Sequence, residues 1–266
     1  MASHMKNMTE GKPARLLLTF SLSLAAGNIF QQLYTVVDTM VVGKYLGVNA
    51  LAAVGASDWL NWLMLGIIQG LTQGFAIKMA QDFGAGREDD LRKSVGSSAV
   101  LSAMSAVVLM VLGQLAARPV LMLLQTPAEI IEYTLLYLRI MFAGVPIVML
   151  YNLLACILRS LGDSRTPLNA MIVASLTNIV LDYLFVMGME WGIAGAAAAT
   201  LIAQAVSGVF CFWHIRKISF LKMGKTDFAL QRERTAHLFV LGLPMAFQNG
   251  IIAIGGMIVQ FVVNSY

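Results

Sequence analysis

The chain of 266 residues has far fewer charged side chains than a water-soluble domain of its size. Charged residues make up 12% of the sequence, hydrophobic residues make up 58%, and the mean hydropathy is +0.76, whereas an average soluble domain is about 25% charged and 45–50% apolar. This composition excludes an ordinary soluble protein and indicates a membrane protein.

Seven apolar segments are long enough to cross a bilayer, which requires roughly 20 largely apolar residues in a helix. In chain order they cover residues 16–37, 59–77, 94–117, 133–158, 166–189, 191–213 and 238–266. The fourth contains a single charge, Arg139, and the fifth a single charge, Asp182. None shows the apolar and polar alternation of a transmembrane β-barrel strand. The predicted fold class is therefore all-α, a polytopic membrane helical bundle, in which Pro146 should kink the fourth span.

The basic residues predict how the chain is oriented, because cytoplasmic connections retain lysine and arginine. Fifteen of the 18 lie in the N-terminal segment and in the second, fourth and sixth connections. The opposite connections contain only Lys44 and Arg118. We therefore expect a cytoplasmic N-terminus. The net charge of +4 then follows from membrane orientation, and no nucleic-acid partner is expected, since that would need basic residues gathered on a soluble surface.

The sixth connection is the longest and most charged, and it is predicted to link two units. Residues 241–266 align on residues 20–45 with six identities, where a second copy of a six-helix unit would begin, and many secondary transporters contain such repeats. Four parts are predicted. Residues 1–15 form an expression scar and cytoplasmic segment, and residues 16–214 form a six-helix N-terminal lobe. Residues 215–236 form a cytoplasmic linker, and residues 237–266 form the first helix of a truncated C-terminal lobe.

Polar side chains on three spans are predicted to form one pocket. A charge at the centre of a membrane helix costs about 2.5–3.5 kcal/mol, so intramembrane acids are functional candidates. Asn178 and Asp182 are four residues apart and share a helix face. Thr200 and Gln204 also share a face, in a segment whose small residues allow helices to approach closely. Asp38 shares a face of the first span with further polar residues at helical spacing, namely Gln31, Tyr34 and Thr35.

The two acids of this pocket point to a cation. Two carboxylates in a shared low-dielectric site cannot both stay ionised unless a cation compensates their charge. Asp38 and Asp182 are therefore predicted to bind a proton or a sodium ion, because carboxylate, amide and hydroxyl oxygens suit a small hard cation. The alternative, that each polar residue only bonds a neighbouring helix, stays open, above all for the lone Thr, Ser and Gln residues.

Other polar residues in the spans give weaker signals. Gln69 and Gln73 form an i, i+4 pair flanked by glycines, which predicts a helix-packing face that also borders a cavity. Arg139 is a candidate for contact with a substrate, with a structural ion pair as the alternative. Asp58 and Asn61 stand at the start of the second predicted span, where an interfacial helix cap is as plausible as a place in a pore.

Four segments resemble the multidrug and toxic compound extrusion (MATE) family. They are QQLYTVVDTMVVGKYLGVNALAAVG (31–55), GLTQGFAIKMAQDFGAG (70–86), YLRIMFAGVP (137–146) and ILRSLGDSRTPLNAMIVASLTNIVLDYLF (157–185). The combination of LRSLGDSRTP with NIVLD is the most specific part. The resemblance implies a twelve-helix fold of two six-helix lobes around a V-shaped cavity, of which this chain would supply the first lobe and one further helix.

The resemblance also implies a function and a site. Members of the family export organic cations and amphipathic drugs in exchange for H⁺ or Na⁺, which here implies a bacterial or archaeal cytoplasmic (inner) membrane. A cation site in the first lobe of prokaryotic relatives falls on Asp38, Asn178, Asp182 and Thr200. In the second copy, the position aligned with Asp38 is Val259, so the ion site is expected in the first lobe alone. No cofactor beyond the coupling ion is expected. The expected partners are the drug, the lipid bilayer and the remaining C-terminal lobe.

Three alternatives to a drug antiporter stay open. A lipid-linked oligosaccharide flippase of the same superfamily should place several cationic side chains in its cavity, yet only Arg139 lies within a span. An intramembrane enzyme needs a nucleophile with a base, or a metal site, but the three histidines lie in the scar or at span ends, so no enzyme is predicted. A non-transporting scaffold would show no ion dependence after Asp38 and Asp182 are neutralised.

Overall fold

The computed structural model describes residues 13–265. The predicted expression scar, most of the segment 1–15 and the last residue of the predicted seventh span lie outside the described residues. Within 13–265 the chain forms eight α-helices and no β-strand. The helices are α1 (Pro13–Leu46), α2 (Val48–Gly84), α3 (Glu88–Leu123), α4 (Ile131–Ala143), α5 (Val145–Ser160), α6 (Arg165–Asp182), α7 (Gly192–Ile215) and α8 (Arg232–Asn264).

These helices make up to seven membrane-spanning segments in the part of the chain that the structure describes. Six helices are individually long and apolar enough to cross a bilayer, with α6 continuing through a short π-helical segment, Tyr183–Gly188. The shorter α4 and α5 together form a seventh span that is bent by 49°. The order of the spans is the one predicted from hydropathy, so the all-α, polytopic fold class is confirmed.

The bend in the fourth span lies where the sequence predicts it. Helix α4 ends at Ala143, and Pro146 stands in the first turn of α5. Proline has no backbone N–H, and its ring clashes with the carbonyl of the residue four positions earlier, so a straight helix cannot continue through it. The first turn of a new helix tolerates proline because its N–H groups have no intrahelical partner there.

Two helices extend well beyond their predicted spans. A single residue, Gly47, separates α1 from α2, and its φ of 84° lies in the left-handed region that favours glycine. The hydropathy pattern ends the first span near residue 37 and starts the second near residue 59, because Asp38, Lys44 and Asp58 interrupt the apolar run. Both aspartates therefore lie well inside long helices, and neither is close to a helix end.

The two ends of the bundle differ in their connections. At one end, here named the linker end, α1 begins, α2 ends and α7 is joined to α8 by a long connection. The other end, with the tight turn at Gly47, is named the Gly47 end. The connection runs from 216 to 231 and contains two 3₁₀ turns, Ser219–Leu221 and Lys225–Phe228. Helix α8 thus begins before the predicted boundary at residue 237.

A polar cluster ties three helices together at the linker end. Asp82 of α2 is fully buried and accepts hydrogen bonds from Lys78 at 2.6 Å and from Ser94 of α3 at 2.8 Å. Arg234 of α8 donates to the Ser94 hydroxyl at 3.1 Å and to the backbone carbonyl of Asp90 at 2.7 Å. The first turn of α8 is therefore fixed to the six-helix lobe.

Helix α8 lies antiparallel along α2, and small residues make the approach close. A side-chain carbon added at Gly70 would overlap the backbone of Ala246, and one at Gly74 would overlap Gly242. Asn249 donates a hydrogen bond to the carbonyl of Gly66 at 3.2 Å. Interfaces of this kind are common where helices associate within a membrane. One face of α2 is thus covered by α8, and its neighbouring face is left to border a cavity.

Candidate functional site

A cavity of about 670 Å³ lies between α1, α2, α4, α5, α6 and α7. On α2 alone it extends from Asp58 to Ala80, a rise of roughly 33 Å at 1.5 Å per residue. The cavity therefore runs through most of the thickness of a bilayer. Ten of the polar residues singled out from the sequence line it, namely Gln31, Tyr34, Thr35, Asp38, Asp58, Asn61, Gln69, Gln73, Thr200 and Gln204.

Arg139 does not line this cavity, in contrast to its predicted place there. The neighbouring α4 residues Tyr137 and Leu138 are buried, whereas Arg139 is exposed because it lies roughly 100° further around the helix. Its backbone carbonyl accepts a hydrogen bond from Gln114 of α3 at 2.7 Å. No ion pair involves its side chain among residues 13–265, so the alternative of a structural ion pair is not seen there either.

The four candidate cation ligands come from three helices and converge near the Gly47 end. Asp38 lies on α1, Asn178 and Asp182 on α6, and Thr200 on α7. Asp182 is fully buried, and Asp38 is 7% exposed. The Asn178 amide donates to the Thr200 hydroxyl at 3.4 Å, and that hydroxyl donates to the carbonyl of Ala196 at 3.2 Å. The two carboxylates are close enough for their charges to interact.

Several buried oxygen atoms at this point have no hydrogen-bond partner. Among the described residues, buried oxygens lack a donor on three of the four candidate ligands, namely Asp38, Asn178 and, with both carboxylate oxygens, Asp182, and also on the neighbouring Gln204. Buried polar atoms without partners are rare and costly, and buried carboxylates more so. A group of acceptors without donors fits a bound proton or a small hard cation. The residues present therefore suit the ion that the sequence suggests.

The ion ligands are divided between the cavity wall and the space behind it. Asp38 and Thr200 line the cavity, whereas Asn178 and Asp182 do not. Asp38 thus faces the cavity and also lies near the buried Asp182. A cation at the site would share Asp38 with any positively charged molecule in the cavity, and this arrangement can couple the two.

A change of helix type places Asp182 at the end of α6. The α-helix ends at Asp182, and the chain continues as a π-helical segment from Tyr183 to Gly188. Phe185 in this segment stacks on Trp191 with ring centroids 4.9 Å apart, and Tyr183 meets Tyr45 of α1 edge to face. Short π-helical segments are rare and occur frequently at functional sites.

The structure decides between two interpretations that the sequence leaves open, and it adds a tyrosine that sequence reasoning missed. Asp58 and Asn61 line the cavity, which favours a place in a pore over an interfacial cap, because α2 begins ten residues before Asp58, at Val48. Tyr137 lies in the wall near Asp38 and Asp58. The spacing of Asp58 and Asn61 by three residues is the signal that could have indicated a shared helix face.

Metal sites of the usual kind are not found in the described part of the chain. No group of three or more His, Cys, Asp or Glu side chains within 13–265 is arranged to hold a metal ion. Cys156 and Cys211 are buried and free. His4 lies outside the described residues, His214 stands in the last turn of α7 and His237 is exposed near the start of α8. The oxygen cluster around Asp182 is thus the best candidate for cation binding.

A helical bundle with a membrane-deep cavity and buried acids beside it has the architecture of a secondary transporter lobe. The model of the MatE family matches residues 24–184. The chain belongs to the MatE family and is a multi-pass membrane protein.

Relatives and solved structures agree with this assignment. The chain is 30% identical to the probable multidrug resistance protein YoeA of Bacillus subtilis, over 97% of this chain and 58% of that protein. It is 26% identical to the probable multidrug resistance protein NorM of Thermotoga maritima, over 90% of this chain and 52% of that protein. An outward-facing multidrug resistance MATE transporter of the MOP superfamily superposes with a TM-score of 0.85 at 26% identity, covering 93% of this chain and 55% of that one.

Proposed function

We propose that the chain forms the first lobe, and the first helix of the second lobe, of a cation-coupled multidrug antiporter. The chain spans little more than half the length of the relatives that it matches, which supports a second lobe as its partner. The observation that carries the proposal is the group of buried, unpartnered oxygens around Asp38 and Asp182 beside a large cavity.

The cavity supports an organic cation or amphipathic drug as the substrate. Its volume of about 670 Å³ lies within the 300–1,000 Å³ that is typical of sites for drug-sized ligands. Tyr34, Trp62 and Tyr137 supply aromatic surface for a flat or cationic ligand, while Asp38 and Asp58 supply negative charge. The flippase alternative receives less support, because Arg159 is the one basic residue among the described residues that line the cavity.

Coupling would follow from competition for Asp38. A proton or sodium ion bound between Asp38 and Asp182 neutralises the charge that holds a cationic drug in the cavity, and the drug then dissociates more easily. Because Asp38, Asp182 and Thr200 stand on different helices, the bound ion would also draw α1, α6 and α7 together. By linkage, the drug must weaken ion binding by the same factor.

The distribution of basic residues supports placement in a cytoplasmic membrane with the linker end toward the cytoplasm. The linker end carries Lys78, Arg87 and Arg234 beside the α7–α8 connection, whereas the Gly47 end carries Lys44 and Arg118. In this orientation the cation site lies in the outer half of the bilayer. An inward gradient of H⁺ or Na⁺ would then load the site from the outside.

Gradient-driven efflux from vesicles tests the proposal. Vesicles that contain the two-lobed protein are loaded with ethidium, and an inward proton or sodium gradient is imposed. We expect efflux with at least one gradient and at least a tenfold lower rate in Asp182→Asn. Asp89→Asn is the control, because Asp89 is highly exposed at the start of α3. Equal efflux in Asp182→Asn, or no efflux with either gradient, would contradict the proposal.

A further inference from the structure

The two ends of the cavity have opposite charge. Asp38 and Asp58 line its wall toward the Gly47 end, and Arg159, in the last turn of α5, lines it at the linker end. The lining between them consists of uncharged polar residues and apolar side chains, with no further charged residue among those described. The cavity is therefore dipolar along its length.

Arg159 is not held by a structural ion pair. Its Nε is buried without a hydrogen-bond partner, and no carboxylate among the described residues forms a salt bridge with it. The carboxylate nearest in sequence, Asp163, accepts hydrogen bonds from the backbone N–H groups of Arg165 and Thr166 at 3.1 and 2.9 Å, and from the Thr166 hydroxyl. Asp163 is thus hydrogen-bonded to the start of α6, and the Arg159 guanidinium has no carboxylate partner among the described residues.

The distance between the two charged ends can be estimated along α1. Arg159 also borders a small pocket beside Leu24 and Asn28, and Asn28 is ten residues before Asp38, which corresponds to a rise of roughly 15 Å. The guanidinium and the Asp38 carboxylate are accordingly about 15–20 Å apart. A ligand that makes a charged hydrogen bond of about 3 Å at each end carries its own charges roughly 10–15 Å apart.

We propose that Arg159 forms an anion subsite of the cavity, which binds the carboxylate of an elongated zwitterionic ligand whose cationic end lies at Asp38 and Asp58. This inference rests on the proposed drug-binding function and adds a substrate class to it. Guanidinium and carboxylate form paired, parallel hydrogen bonds that an ammonium group cannot reproduce. The uncharged wall between the ends, which includes Thr72, Asn152 and Gln69, would hold the body of the ligand.

A matched pair of ligands isolates the contribution of Arg159. The probes are a fluorescent quinolone carboxylic acid that carries a piperazine, and its methyl ester, which keeps the cation and lacks the carboxylate. Binding is measured at pH 7.5 to the purified two-lobed protein in nanodiscs of neutral phosphatidylcholine. We expect the dissociation constant of the acid to rise about tenfold in Arg159→Gln, as for loss of one charged hydrogen-bond pair, and that of the ester to change less than twofold.

Two further variants complete the test. Arg159→Lys should restore only part of the affinity for the acid, because a point charge replaces the planar fork. Arg165→Gln is the matched control, since Arg165 is exposed at the same end of the bundle and does not line the cavity; it should leave both affinities unchanged. Ester binding to Arg159→Gln also shows that this variant is folded.

The outcomes separate this inference from the proposed function. If Arg159→Gln weakens the acid and the ester equally, or weakens neither, the anion subsite is wrong. The proposed function then still stands, provided that Asp38→Asn weakens ester binding. If neither probe binds the unaltered protein, the drug-binding cavity fails, and the subsite fails with it.

Discussion

Asp182 shows most clearly how one residue can link the fold to a function. It lies at the end of α6, fully buried, and neither carboxylate oxygen has a hydrogen-bond partner among the described residues. A residue that served only to join two helices would have a donor opposite it, because a buried unpaired charge is costly. Asp82 illustrates that structural role, with Lys78 and Ser94 as donors. The contrast between the two aspartates supports cation binding at Asp182.

At the residue scale, we predict that Asp182→Asn removes the stabilisation of the protein by the coupling ion. A ligand at 100 times its dissociation constant stabilises the folded state by about 2.7 kcal/mol. In the unaltered protein and in Asp89→Asn, the midpoint temperature of thermal unfolding in nanodiscs should therefore rise when Na⁺ is added at pH 7.5 or when the pH is lowered. Asp182→Asn should lack this shift and remain folded. The same shift in all three proteins would show that the ion acts elsewhere.

Among the elements, the contact between α2 and α8 has two functions. The glycine face of α2 fits closely against α8, and the glutamines Gln69 and Gln73 on the adjacent face line the cavity. Helix α8 therefore supports α2, the helix that forms part of the cavity wall, from the face adjacent to the cavity. The polar cluster of Asp82, Ser94 and Arg234 fixes the start of the same helix.

At the element scale, we predict that Gly70→Val displaces α8 from α2. The added side chain would overlap the backbone of Ala246, and overpacking of this kind typically costs about 1–3 kcal/mol. The matched control is Gly55→Val on the same helix, where no atom lies within 4 Å of the added carbon. The midpoint temperature of thermal unfolding should fall clearly in Gly70→Val and little in Gly55→Val. An equal loss in both would mean that helix propensity, and not the α8 contact, determines the effect.

Across the whole molecule, the fold and the approximate order of its spans follow from hydropathy alone. The hydropathy pattern misplaces the end of α1 and the start of α2, because it ends a span where charged residues begin. Asp38 and Asp58 nevertheless lie within these two long helices. Asp38, Asn178 and Asp182 could be grouped from spacing and the family resemblance. The sequence places Arg139 within the fourth span and Arg159 in the connection after it, yet Arg159 lines the cavity and Arg139 does not. Only the packing of neighbouring helices decides which arginine meets the cavity.

We also predict, for the whole molecule, that the linker end faces the cytoplasm. Single cysteines introduced at Arg118 and Arg87, which lie at opposite ends of the bundle, distinguish the two orientations in intact cells. A membrane-impermeant maleimide should label Arg118→Cys directly and Arg87→Cys only after permeabilisation. The native cysteines are buried and should give little background. Labelling of Arg87→Cys in intact cells would reverse the proposed orientation.

The measurement that tests the account most directly is competition between an organic cation and the coupling ion for this lobe. Ethidium binding to the chain in nanodiscs is titrated with rising Na⁺ at constant ionic strength, and separately with falling pH, in the unaltered protein and in Asp182→Asn. We expect at least a tenfold loss of ethidium affinity with one of the two ions in the unaltered protein, and none in the variant. Ion dependence that is absent from the unaltered protein, or retained in Asp182→Asn, would contradict a coupling site at Asp182.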